Sequence, residues 1–217
     1  MKTLLTILLM LATTSAVAAE LTPISNGSHL GARIRGTLLP DSFPRELTSG
    51  LTNRLMIRFT LHQSARELRG RSIEIAIRYD LWDEAFTMTT LIDGVSVQTA
   101  TYQQAQQVMH ELQEIRLPEL FPIGSVPADM ELGMRAIVLL NPIDRERMAA
   151  ISKWVAQNNK RSSLDPASAL GTGDTASNAI LERIFEQYSS GAEVASAWQQ
   201  TLTSKPFQRD GLPHESR

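Results

Sequence analysis

Residues 71–88 read RSIEIAIRYDLWDEAFTM, and the alternation inside this stretch decides the fold class. Ile73, Ile75, Ile77, Tyr79 and Leu81 alternate with Glu74, Ala76, Arg78 and Asp80. Successive side chains of a strand point to opposite faces, so the pattern lays one apolar row on a core and turns a polar row toward water or a partner. The alternation breaks at Trp82, Asp83 and Glu84, and a β-favouring run from Phe86 to Ile92 follows at once. Two strands joined by a tight acidic turn are expected.

The same period of two extends outward along the chain. Leu30 to Leu39 and Asn53 to His62 each put apolar residues on one row, with Arg33 and Arg35, then Arg54 and Arg58, on the other. The polar stretch Gln63 to Gly70 predicts a connection between antiparallel neighbours, since a parallel crossover needs a longer helix. Asp93-Gly94 between two apolar runs predicts a tight hairpin, because both central residues of such a turn take positive φ. Thr101 to Gln104 fits a capping box, and Tyr102, Ala105, Val108, Met109, Leu112 and Ile115 follow at helical spacing. Leu21 to Ser28 predicts a loose lead-in, Leu117 to Pro127 an ordered proline-rich loop, and Met130 to Leu140 the last strand, with Arg135 outward. The fold class is α+β: a mainly antiparallel, sandwich-like β domain of about six strands with a covering helix and C-terminal helices.

Met1 to Ala19 has the layout of a cleaved signal peptide: Lys2, an apolar run from Leu4 to Ala12, and a small-residue end. That predicts a periplasmic or secreted protein, with no transmembrane segment in the mature chain. The β-rich domain is expected over 20–158, closing with a helix that Asn141-Pro142 begins. A linker over 159–176 and a helical arm over 177–203 follow, with Ile180, Leu181, Ile184, Phe185, Tyr188, Trp198 and Leu202 on its apolar side. Residues 204–217 predict a disordered tail. The arm is a candidate for self-association.

The chain has 217 residues, a net charge of −2 and no cysteine. Export without cysteine leaves stability to a packed core, and the charge balance excludes a general affinity for nucleic acid. His29, His62, His110 and His214 have no metal-ligand spacing, and no nucleophile elbow or phosphate loop occurs, so neither a metal nor a cofactor is expected. Asp80, Asp83 and Glu84 could serve a carboxylate-dependent hydrolase of a cell-wall polymer if they lined a cleft. Otherwise they cap the turn and pair with arginines. If Arg33, Arg35, Arg54, Arg58, Arg78 and Arg135 share one sheet face, they form a patch suited to phosphates or carboxylates. With Tyr79, Asp80 and Trp82 they make up the candidate binding surface of a non-enzymatic adaptor, for an envelope protein or an anionic envelope component.

The segments Leu47-Thr48-Ser49-Gly50-Leu51, Leu55-Met56-Ile57-Arg58-Phe59 and Ile77-Arg78-Tyr79-Asp80 come in this order, with Glu84 and Phe86 after the last. The helix from Thr101 and the strand ending Leu139-Leu140-Asn141-Pro142 complete the sequence of features. Over about Leu30 to Asn158 the chain resembles a family of uncharacterised exported proteins of Gram-negative bacteria, defined as a domain of unknown function. It departs from that family after its last strand, where a helix with Trp154 replaces proline-containing positions. The resemblance implies a sheet-rich periplasmic fold and supplies no catalytic residues.

Overall fold

The computed structural model describes residues 18–142, 185, 196 and 198–214. The expected linker, the expected helix after Pro142 and nearly all of the expected signal peptide lie outside the described residues. Nine strands occur among the described residues: β1 (Glu20–Ser25), β2 (His29–Arg35), β3 (Asn53–Gln63), β4 (Arg66–Asp80), β5 (Ala85–Ile92), β6 (Val95–Tyr102), β7 (Glu114–Pro122), β8 (Gly133–Leu140) and β9 (Trp198–Thr203). They form a three-stranded sheet ordered β1-β2-β7 and a six-stranded sheet ordered β6-β5-β4-β3-β8-β9. Every pairing between them is antiparallel.

The long alternating runs explain the centre of the larger sheet. Ile57 lies opposite Ile73 and Val138, and Ile77 opposite Met88, so one apolar row crosses the sheet from strand to strand. Leu21 and Ile34 from β1 and β2, with Ile115 and Leu117 from β7, close on the same core as Leu55, Ile57, Phe59, Ile75 and Val138. Each fully buried side chain of this size contributes roughly 1.5–3 kcal/mol. Arg71 ties the two sheets at one end, since its Nε donates to Asp93 at 2.8 Å and its Nη1 to the Leu120 carbonyl at 2.6 Å.

Two helices lie wholly within the described residues, α1 (Phe43–Glu46) and α2 (Ala105–Gln113). The second starts later than expected. Gln107 Oε1 accepts the backbone N–H groups of Gln103 and Gln104, both at 3.1 Å, so the reciprocal contact is made three residues past Thr101. Residues Thr101 and Tyr102 stay in β6, paired with Thr87 and Phe86.

Several expectations are corrected. Leu21 to Ser28 is no lead-in: it contains β1 and its turn to β2, where Gly27 has φ +84° and Asn26 Oδ1 accepts the His29 N–H at 2.7 Å. Pro23 is tolerated because β1 is an edge strand, which needs no donor on its open side. The same holds for Pro118 and Pro122 in β7, the opposite edge, where a loop was expected. The connection expected over Gln63 to Gly70 shrinks to the two-residue turn Ser64-Ala65, with Gln63 opposite Arg66, Ser64 at φ +53° and Arg66 to Gly70 already in β4. Asn141, which the sequence places ahead of a helix outside the described residues, has positive φ and fastens the end of β8 to β3, its Oδ1 accepting the Arg54 N–H at 2.7 Å.

The C-terminal expectations change most. Trp198 to Thr203, read as the end of a helical arm, is β9, registered on β8 from Leu140 to Arg135. Leu202 joins the core. Of the other residues named on the arm only Phe185 is described, and it is buried. The expected tail is ordered as far as the structure describes it. Phe207 and Leu132 exchange backbone hydrogen bonds at 2.9 and 2.8 Å, and Ser25 donates to the Pro213 carbonyl at 3.1 Å.

Candidate functional site

The turn between β4 and β5 is built on Asp80. Its Oδ1 accepts the backbone N–H groups of Trp82 at 2.9 Å and Asp83 at 3.2 Å, the local hydrogen bonding by which aspartate folds a turn over itself. These two donors hold the Asp80 carboxyl below the usual aspartate range, and the Arg78 guanidinium at 3.8 Å adds to the effect. At the turn's base the rings of Tyr79 and Phe86 pack with centroids 4.6 Å apart. Glu84 closes it at φ +48°.

What this frame presents is apolar. Trp82 is 95% exposed, Leu81 65% and Leu51 62%. Gly50 is next to Leu51, and a Cβ placed on Gly50 would lie 3.4 Å from Leu81 Cδ1, so the loop before β3 abuts the turn. Three large apolar side chains in water on neighbouring loops form the kind of surface that marks an interaction site. Asp83 and Glu84, both exposed, border it with negative charge.

The expected arginine patch does not form as one surface. Arg33 and Arg35 belong to β2 in the smaller sheet, whereas Arg54, Arg58, Arg78 and Arg135 belong to the larger. Nor is the second face of the larger sheet wet, as the alternation suggested: Met56, Ser72, Glu74 and Leu139 on it are buried. Arg54 is paired with the fully buried Glu74, and Arg58 lies 3.6 Å from Glu67. Arg78 and Arg135 are exposed. Arg33 and Arg116 share Glu114, at 3.7 and 2.5 Å; the hydrogen bond from Arg116 is the main reason that its carboxyl titrates low.

A cleft of about 880 Å³ opens between the two sheets where α2 runs into β7. Ile75, Met88, Thr90 and Gln98 line it from the larger sheet, and Glu114 and Leu117 face them. Its signal in the sequence is slight: Thr90 and Gln98, opposite each other in register, interrupt an otherwise apolar inward row. Asp80, Asp83 and Glu84 line neither this cleft nor the smaller one beside α2, and Asp83 and Glu84 stand exposed on the turn. Among the described residues no three His, Asp or Glu side chains are grouped to hold a metal ion, and no helix is long and apolar enough to cross a membrane.

No protein-family model, curated protein or solved structure matches the chain.

Proposed function

We propose that the protein is a non-enzymatic binding or adaptor protein of the cell envelope, and that the Trp82 turn is its docking element. The observation that carries this reading is a tryptophan 95% exposed on a turn that Asp80 holds in place. A large side chain presented on a preformed loop loses little conformational freedom on binding, and tryptophan is among the commonest anchors of protein interfaces. Asp83 and Glu84 beside it specify the partner: an apolar pocket on another protein, rimmed by lysine or arginine. An anionic surface would be repelled. The Met1 to Ala19 layout supports a periplasmic site of action.

Placing a photo-crosslinking residue at Trp82 in the full chain tests the proposal. The expected result is one discrete adduct, lost when Leu81 and Leu51 are changed to serine and kept when Arg78 and Arg135 are changed to glutamate. No adduct, or one that ignores Leu81 and Leu51 and depends on the arginines, overturns it.

A further inference from the structure

Strand β6, Val95–Tyr102, reads VSVQTATY and forms one edge of the six-stranded sheet. In an antiparallel sheet every second residue of an edge strand turns its N–H and C=O away from the neighbouring strand, and such rows template further pairing unless something blocks them. The edges of the smaller sheet are blocked. Strand β1 carries Pro23 and Glu20, and β7 carries Pro118, Pro122, Glu114, Arg116 and Glu119.

Strand β6 has none of these devices: it has no charge, no proline and no glycine. Six of its eight residues are exposed, with Val95 at 66% and Val97 at 54%. The one irregularity is a register shift against β5 between Thr90 and Leu91, which leaves Gln98 to Tyr102 in regular pairing. Beyond its partnership with β5, β6 makes no backbone hydrogen bond with any described residue.

We infer that β6 is a homodimer interface, the β6 strands of two copies pairing antiparallel across a two-fold axis to join their larger sheets. The absence of charge argues for a second copy as the occupant. An isologous interface sets every residue against its own symmetry mate's neighbourhood, so a charged strand would meet its own charges, and this one meets none. With the axis at Gln98, that residue faces its own mate, Val97 faces Thr99, Ser96 faces Ala100 and Val95 faces Thr101, pairs of β-branched and small residues that suit cross-strand packing. The charge nearest the strand along the sequence, Asp93, is already engaged by Arg71 at 2.8 Å.

The test is the mass of the full chain in solution, by sedimentation equilibrium over a concentration series. Wild type is expected to be a dimer. Changing Val97 and Thr99, both exposed, to lysine sets like charges across the joint and should leave only monomer, with the circular dichroism unchanged. Mixing that variant with a second chain carrying V97E and T99E should restore a dimer containing one of each, which a merely misfolded variant could not do. A monomeric wild type, or a dimer that the lysines leave intact, overturns the inference.

Discussion

Asp80 Oδ1 and the Trp82 backbone N–H are joined by a hydrogen bond of 2.9 Å, so the residue that ends β4 also fixes the exposed tryptophan two places on. Changing Asp80 to alanine removes the acceptor, whereas asparagine keeps an oxygen in the same place. The alanine variant is expected to broaden the turn's amide resonances and the asparagine variant to leave them sharp. Because the folded-state pKa of Asp80 is lowered, its contribution is complete above the ordinary aspartate range and is lost as pH falls through the folded value. An amide titration into strongly acid solution should show the Trp82 and Asp83 signals moving together only there.

Gly31 sits at the bulge of β2, where an added Cβ would lie 2.4 Å from the Leu117 carbonyl oxygen and 2.7 Å from Pro118 Cα. Both neighbours are backbone and cannot turn aside. Gly31→Ala is therefore expected to cost at least the roughly 1–3 kcal/mol typical of overpacking, measured by urea denaturation. Gly124, with nothing near its Cβ position, is the control.

Glu74 is fully buried and paired with Arg54, while its Oε2 has no hydrogen-bond partner among the described residues. Removing one member of a buried pair strands the other, so Arg54→Met is expected to cost about 3–5 kcal/mol. The double variant R54M/E74M removes both charges and should recover most of that loss. A double-mutant cycle in denaturant reads the difference, and additive losses would contradict it.

Removing the chain after Asn158 deletes β9 and bares the β8 edge that Arg135 to Leu140 now share with it. The truncated protein is expected to aggregate or to lose its cooperative thermal transition. The narrower test is Leu202→Asp, which sets a charge at a position 6% exposed and should lower the melting temperature by several degrees or more.

The parts of the fold legible in the sequence are those whose residues meet only one physical demand. Strands β3 and β4 declare themselves because nothing but a strand gives Ile73, Ile75 and Ile77 a common face, and Asp93-Gly94 because both residues take positive φ, 51° and 79°. Strands β1 and β7 stay hidden because their prolines, which argue against a strand, are harmless on an edge. Strand β9 is ambiguous for a geometric reason: Trp198 and Leu202, four apart, share a face in a helix and equally in a strand. The candidate surface is hidden in the same way. Period two assigns the arginines to a row but not to a sheet, and an aromatic residue in a turn can fold inward or stand clear, as Trp82 does.

The position of β9 sets the order in which the molecule can be completed. The Met134 N–H finds its acceptor, Ser204 Oγ, only after 70 further residues have been added, and the whole β8–β9 ladder waits for the same stretch. At 5–20 residues per second a ribosome takes roughly 4 to 14 seconds to supply it, far longer than a hairpin needs to form. During that interval the nascent sheet ends at β8, with Ala136, Val138 and Leu140 lacking the neighbour that later covers them. The newborn chain thus passes through a stage with an adhesive border that the finished protein no longer has, and its yield in a cell depends on what shields that border meanwhile.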